Sequence, residues 1–566
     1  MTEVEGYSSL CAMHRAICER LGPRTAIRHK RHGRYRDLSW SEYRRQADGA
    51  AAGLLELGIR GGDRVAMLSE NRREWLIADH AVLSTGGVTV PLHAPLSPTQ
   101  VQYQISHSDA RGIIVSGQEQ ADKVARVIND LPNLEFLISF DPIDSAVSLK
   151  TLTWDGLIHR GRRANDGVQD ELREREASLS WQDPATIIYT SGTTGNPKGV
   201  VLSHGNLLTN AAATLRIADS HPGDALLSWL PYSHIYARTV DHYLTTLAEA
   251  VLCLGESVET LLVNLAETQP HGMTAVPRFY EKVWSKVESL PPDHRAAVLR
   301  KIFGPRLRNV TSGGAPLPKH VCEGFFEAGI PLLEGYGLTE SSPVICFNRL
   351  DAYRVGSVGK AVPGVEVRIA GDGEILTKGP HVMQGYWKND DATAATMTDG
   401  WLKTGDVGFL DDEGFLTITD RKKDLLITSG GKNISPSELE RLLAGDVHID
   451  QAVAYGDGRA FVVALLVPSF PHLEAKAREL GVEIETTGEF ITTGGLMEFY
   501  ETRVQAVMEA VSQPERVKRI LLLARPFQLE ADELTATLKV RRRHIIEKYA
   551  SQLSALYESS QPDEVS

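Results

Sequence analysis

At 566 residues the chain is too long for one hydrophobic core, so two or more domains are expected. Its 42% hydrophobic and 23% charged residues are ordinary for a globular protein, and a net charge of −13 argues against general nucleic-acid binding. The cysteines Cys11, Cys18, Cys253, Cys322 and Cys346 match no zinc spacing and suit free thiols in a reducing compartment. No stretch approaches the ~20 apolar residues that span a bilayer. The acidic start, Met-Thr-Glu-Val-Glu-Gly, lacks the apolar run of a signal peptide. A cytoplasmic protein is expected, with peripheral contact at a membrane surface left open.

Helical and strand patterns alternate from residue 40 to 350. Ser39 and Glu42 form an expected capping box, opening a helix that carries Tyr43, Ala47, Ala51, Leu54 and Leu55 and stops at Gly58. Strands are expected at Arg64–Leu68, Gly87–Pro91 and Gly112–Ser116. This rhythm is that of an α/β protein with mainly parallel sheets.

The most informative segment follows, Thr190-Ser191-Gly192-Thr193-Thr194-Gly195-Asn196-Pro197-Lys198-Gly199. Before it, Ala185–Tyr189 is apolar and β-branched enough for a buried strand. After it, Val200-Val201-Leu202 is a second apolar run, and Ser203 suits a helix cap. Glycines turn backbone N–H groups inward and admit a phosphate, while hydroxyls and Lys198 add donors and charge. The loop is not a Walker A sequence, because Gly199 follows the lysine where Ser or Thr is required.

Further along lie four clusters that suit an adenine nucleotide. Thr311-Ser312-Gly313-Gly314-Ala315-Pro316 follows a strand-like Arg308-Asn309-Val310 and lets a flat base approach the backbone. Tyr336-Gly337-Leu338-Thr339-Glu340 supplies an aromatic ring, a hydroxyl and a carboxylate able to hold Mg²⁺ beside a phosphate. Thr404-Gly405-Asp406 offers a carboxylate to ribose hydroxyls. Thr535-Ala536-Thr537-Leu538-Lys539 precedes a basic run, Arg541-Arg542-Arg543. Taken singly, each has an ordinary structural explanation: a turn, a solvated carboxylate or a surface base.

The rhythm changes near residue 355. Short strands and turns follow, with Gly371-Asp372-Gly373 and Asp411-Asp412-Glu413-Gly414 at tips. A charged segment, Asp420-Arg421-Lys422-Lys423-Asp424, marks a boundary. Ser435-Pro436-Ser437-Glu438 then reads as a helix start, and the remaining ~140 residues suffice for a small α/β domain.

Together and in this order, the clusters resemble the signature set of the acyl-adenylate-forming superfamily, over roughly the whole chain. Within it, Val276-Pro277-Arg278 with Glu281-Lys282, Asp399–Asp406, and Asp420–Asp424 running on to Ser429–Pro436 resemble long-chain fatty-acid–CoA ligases. A longer stretch from Pro468 to Glu530 points the same way. The resemblance implies an α/β fold: a large N-terminal domain of two α/β subdomains plus a small β-barrel-like subdomain, and a small mobile α/β C-terminal domain. It places an adenylation domain at 1–420 (its β subdomain at 355–420), a hinge at 421–424, a lid domain at 425–556 and a polar tail at 557–566.

It also implies two half-reactions. A fatty carboxylate attacks the α-phosphorus of ATP to give acyl-AMP and pyrophosphate, and coenzyme A then displaces AMP. Carried over by motif, Thr190, Ser191, Gly192, Thr193, Thr194, Gly195 and Lys198 hold the phosphates, with Lys198 also counted as catalytic. Thr190 and Glu340 are the Mg²⁺ contacts; Gly314, Ala315 and Tyr336 flank adenine; Thr339 bonds the α-phosphate. Asp406 and Arg421 hold the ribose, and His234 and Gly337 face the acid. Lys539 bridges carboxylate and α-phosphate, and Glu340 completes the catalytic set. Lys423 is the hinge residue, and Gly430 and Gly431 join the coenzyme A channel after the C-terminal domain rotates.

One departure stands out. Where some long-chain members keep a tryptophan gate, this chain has Ala237-Arg238-Thr239, and an arginine there suits a carboxylate arriving from a charged surface. Three other readings fit the sequence. One is a fatty-acyl-AMP ligase loading a carrier protein, which typically carries an insertion that this chain lacks between Glu340 and Asp420. Another is an aryl or medium-chain acid ligase. The third is a catalytically idle nucleotide sensor, disfavoured because Lys198, Glu340, Asp406, Arg421 and Lys539 are all present.

Overall fold

A computed structural model describes residues 6–144, 148–190, 196–427, 433–528, 531–534 and 540–558. The chain divides into two compact units. The first comprises 1–368, 376–404 and 410–416, and the second 369–375, 405–409 and 417–566.

Two sheets build the first unit. The eight-stranded sheet runs Gly385–Tyr386, Lys198–Ser203, Pro184–Thr190, Val88–Leu92, Arg64–Leu68, Ala110–Val115, Phe136–Ser139 and Lys150–Thr153. The strands from 64 to 153 pair in parallel, and their apolar runs are buried on both faces: Val65–Leu68 and Ile113–Val115 are inaccessible to solvent. The three expected strands lie within a residue or two of those observed, Arg64–Leu68 without any shift. The nine-stranded sheet runs Lys360–Ala361, Val344–Phe347, Leu332–Gly337, Asn309–Ser312, Gly272–Ala275, Ala225–Ser228, Val251–Leu254, Thr25–Arg31 and Arg34–Ser39. Its centre, from 225 to 337, is parallel, so the carboxyl ends of those strands open onto one edge, the usual place for a ligand in such sheets.

The helix expected after Ser39 spans Trp40–Glu56. The Ser39 hydroxyl accepts from the Glu42 amide at 3.2 Å, which is half of a capping box. Glu42 does not close the other half; its carboxylate accepts from Gln46 one turn on, at 2.6 Å. All five cysteines are buried free thiols, as expected.

The second unit is built around an antiparallel-then-parallel sheet of Ile449–Tyr455, Val462–Pro468 and Val517–Leu522. The helices Pro436–Ala444 and Gly494–Val507 contribute Leu439, Leu443, Leu496, Tyr500 and Val504 to one core. Tyr549 and Leu553, from the two C-terminal helices' region, fill a second core. Among the described residues, no helix is long and apolar enough to cross a membrane.

Candidate active site

The strands on either side of the Gly/Thr-rich loop form an antiparallel hairpin. Thr190 ends one strand opposite Lys198, which starts the next. Pairing from Thr186↔Leu202 to Thr190↔Lys198 therefore aims both residues at the loop between them. Ser191–Gly195 lie outside the described residues. The far end of the loop is tied down, since Tyr103 donates from its hydroxyl to the Pro197 carbonyl at 3.1 Å. Ser203 caps helix His204–Leu215, and Asn206 completes a reciprocal capping box.

The short strand Gly385–Tyr386 adds to this hairpin, with Tyr386 opposite Val200. Tyr386 joins two of the expected residues. The Lys198 ammonium lies 4.8 Å from its ring centre, and its hydroxyl donates to Glu340 Oε1 at 2.8 Å. Burial first, and then the Glu340 charge, raise the phenol above its ordinary range, so Tyr386 remains a hydrogen donor. A backbone bond reinforces the arrangement, from Met383 N to the Glu340 carbonyl at 2.8 Å. Tyr386 was not singled out from sequence. Its only signal was an aromatic between glycine and tryptophan in a turn-rich stretch.

Gly337 and Tyr336 end the strand Leu332–Gly337, and Thr339–Ser341 form a single 3₁₀ turn with Thr339 buried. A Cβ at position 337 would fall 1.8 Å from the Pro343 carbonyl oxygen, so only glycine permits this crossing of backbones. Gly314 and Ala315 follow the strand Asn309–Ser312, and Gly314 has φ +83°, the left-handed region that glycine adopts freely. These residues sit at the carboxyl ends of neighbouring parallel strands, as a nucleotide site in such a sheet requires.

His234 is half-buried, and its Nδ1 accepts from the Tyr236 amide at 3.3 Å. Beside it lies His93, with ring centres 6.4 Å apart and planes 29° from parallel. His93 Nδ1 is 2.7 Å from the Ser233 hydroxyl, and burial pushes its pKa down to about 4, which keeps the ring neutral near pH 7. Sequence reasoning missed His93, although it directly follows the buried strand Val88–Leu92, a position that favours ligand residues.

Arg238 departs from expectation. It is fully buried and ion-paired to Asp79, whose carboxylate also accepts from Tyr243 at 2.6 Å. The guanidinium donates further to Thr186 at 2.6 Å and to the Tyr243 hydroxyl at 3.0 Å. Burial alone would raise the Asp79 pKa, but Arg238 and His242 outweigh it and hold the carboxyl far below its usual range. An arginine with its donors spent inside the core does not receive an acid from the surface.

In the second unit, Arg421 Nε meets Asp406 Oδ1 at 3.1 Å, so the two expected ribose contacts are brought together; Asp406 is buried and Arg421 exposed. Gly405 (φ +73°) donates its amide to Glu374 at 3.1 Å. Lys422 bridges Asp372 and Glu374 at 2.6 and 2.8 Å. Lys423 is exposed, at a turn closed by the Asp424 amide on the Arg421 carbonyl at 2.9 Å. Gly430, Gly431 and Lys539 lie outside the described residues.

No group of three or more His, Cys, Asp or Glu side chains suited to a metal occurs among the described residues. Glu340 and Thr190 are hard oxygen donors, and one partly exposed carboxylate suits a Mg²⁺ that arrives on a triphosphate with most of its shell already filled by phosphate and water.

Comparison with known proteins accords with this geometry. The AMP-binding enzyme family matches residues 15–387, and the AMP-binding enzyme C-terminal domain matches 423–561. Among curated relatives, the long-chain-fatty-acid–CoA ligase FadD15 of Mycobacterium bovis is 34% identical, covering 93% of each chain. The long-chain-fatty-acid–CoA ligase ACSBG2 of Xenopus laevis is 28% identical, covering 95% of this chain and 82% of its own. Among solved structures, the adenylation domain of a carboxylate reductase from Mycobacterium chelonae superposes with TM-score 0.81 at 22% identity, covering 98% of this chain and 92% of that one. The anthranilate CoA ligase AuaEII, solved with anthranoyl-AMP, gives 0.77 at 20% identity, covering 97% and 98%. With its hairpin loop, strand-end glycines and both characteristic domains accounted for, this chain belongs to the AMP-binding enzyme family.

Proposed function

We propose that the chain is an AMP-forming acid–CoA ligase whose acid is a long-chain fatty acid. The observation that carries the reading is the Lys198–Tyr386–Glu340 assembly beside the hairpin loop, in a chain 34% identical to a long-chain-fatty-acid–CoA ligase over nearly its full length.

The chemical difficulty of the first step is that a carboxylate must approach a polyanion. Its oxygen bonds to the α-phosphorus while the bond to the β-phosphate oxygen breaks, and the leaving pyrophosphate gathers charge. Lys198, with Thr190 and the loop amides of Ser191–Gly195, offsets that charge. Tyr386 holds Glu340 in place by donating to one of its oxygens, and Glu340 with Thr190 would hold the Mg²⁺ that accompanies ATP. The ion would neutralise phosphate charge. Tyr336, Gly314 and Ala315 flank the base, Thr339 reaches the α-phosphate, and Asp406 with Arg421 receives the ribose. His234 and Gly337 border the acid, and neutral His93 buttresses His234 without adding charge where an anion enters. Lys539 bridges the two reacting anions. In the second step the coenzyme A thiol loses its proton to solvent, its sulfur bonds to the acyl carbon, and the acyl–phosphate bond breaks, releasing AMP. Lys423 changes backbone angles between the steps, bringing Gly430 and Gly431 to the thiol channel.

The test is coenzyme-A-dependent AMP release across acids from acetate to oleate, with benzoate and cinnamate included. Highest kcat/KM with long-chain acids is expected; a preference for the aromatic acids, or for acetate, overturns the substrate assignment. One relative favours a second reading. A long-chain-fatty-acid–[acyl-carrier-protein] ligase, AEE15 of Arabidopsis thaliana, is 26% identical over 96% of this chain. Acyl-AMP that accumulates with coenzyme A present, and is consumed by a carrier protein, would decide for it.

A further inference from the structure

The backbone on the two sides of Lys423 is joined chiefly by the Asp420 carboxylate, with the Thr419 carbonyl a second acceptor 3.0 Å from the Ser435 hydroxyl. Asp420 precedes Lys423 and is buried at 3% exposure. Its Oδ2 accepts from the Ser435 hydroxyl at 2.6 Å and from the Ser437 amide at 3.2 Å. Its Oδ1 accepts from the Ser437 hydroxyl at 2.9 Å and from the Arg421 amide at 2.6 Å. Ser435 and Ser437 follow Lys423, and they are the N-cap and second residue of helix Pro436–Ala444.

The chemistry of this contact is specific. A helix start leaves amides without intrahelical acceptors. Ser435 Oγ takes one of them, from Glu438 at 3.1 Å, and Asp420 takes another from outside the helix. The carboxylate also faces the positive end of the helix. Behind it, Arg542 is bonded to Ser437 at 3.1 Å and to Glu440 at 2.9 Å, and it lies 3.4 Å from Asp424, so the helix start is braced from the C-terminal side as well. Asp420 also holds the amide of Arg421, and thus the backbone that presents Arg421 to Asp406.

A change of φ and ψ at Lys423 cannot preserve these bonds. Where it carries Ser435 and Ser437 away from the strand Leu416–Arg421 that holds Asp420, the three bonds break. We infer that Asp420 is a positioning residue that latches the helix Pro436–Ala444 to the strand before the hinge, stabilising one of the two orientations the ligase cycle uses and setting the relative speed of its two half-reactions. This inference rests on the ligase reading above. Asp420 touches no reacting atom; it acts through the helix start and through Arg421.

The test uses full-length protein with Asp420→Asn, which keeps the shape and removes the charge, and Ser437→Ala, which removes a single bond. ATP–pyrophosphate exchange reports the first half-reaction, and isolated acyl-AMP with coenzyme A reports the second. Asp420→Asn is expected to change the ratio of the two rates about fivefold or more, as loss of a charge-assisted bond carries, with Ser437→Ala shifting it less in the same direction. Equal loss in both half-reactions, or no change in either, overturns the latch. Hydrogen exchange at the Ser437 amide provides a readout independent of activity. It should quicken in Asp420→Asn, and unaltered exchange likewise overturns the latch. If wild-type protein activates no acid, the ligase reading fails by itself, while the exchange measurement still judges the contact.

Discussion

Asp79–Arg238 and Lys422–Asp372 are both ion pairs, one in each unit, and they do opposite work. The first is fully buried; Arg238 donates further to Thr186 and Tyr243, and Asp79 accepts from Tyr243. The second is half exposed, beside the turn at Arg421–Asp424. A buried pair cannot lose one member without stranding a charge, so it fixes geometry. An exposed pair exchanges its partner for water at little cost, so it permits geometry to change. The core of the first unit holds a pair of the former kind, and the turn at Arg421–Asp424 in the second lies beside one of the latter.

Four experiments break or sharpen this contrast. The largest effect is expected in the second unit, at Lys539, for which a chemical role is proposed. Lys539→Ala should slow adenylation about 10²–10³-fold, the range for losing a preorganised cation at a developing charge, while isolated acyl-AMP still reacts with coenzyme A. Near-normal pyrophosphate exchange in that variant would show Lys539 to be misassigned.

Asp79→Ala comes next and tests rigidity alone. Leaving Arg238 buried without its counter-charge should cost about 3–5 kcal/mol, read as a marked fall in the apparent melting temperature. A melting temperature that barely moves would mean the pair is dispensable to the first unit.

Acid provides a smaller and graded challenge to the same unit. Burial pushes His93, His204 and His381 each down to about 4, below their usual value near 6.5. The unfolded chain therefore binds protons that the folded one refuses between those values. Stability from these histidines is complete above pH 6.5 and is lost as pH falls toward 4. The apparent melting temperature should decline over that window, and His381→Gln should flatten part of the decline. A curve of unchanged slope would contradict the assignment.

The smallest effect belongs to the exposed pair. Lys422→Ala should leave the melting temperature close to that of wild type, because Asp372 stays solvated and the buried Glu374 still accepts from the Gly405 amide, and high salt should reproduce whatever change occurs. A large destabilisation would erase the distinction between the two regions.

How far the site was legible depended on the distance over which each feature is decided. The hairpin loop, the helix cap at Ser203, the capped start at Ser435 and the buried strands were readable because glycine, hydroxyl and β-branched residues act on their immediate neighbours. The Ser39 box was half right for the same reason: the hydroxyl finds the amide three residues on, but Glu42 is long enough to choose another partner.

Residue types and their order in the chain therefore determined the α/β class and the family. Folding alone decided which side chains meet. Tyr386 stands between Lys198 and Glu340 because the strand Gly385–Tyr386 adds to the edge of the hairpin sheet. Arg238 turns inward because Asp79 waits in the core, and Asp420 reaches across to Ser437 because a later helix presents its open amide there. Local propensity is written in neighbouring residues, whereas a long-range partner is selected by sheet order and by the cost of leaving a buried polar group unsatisfied.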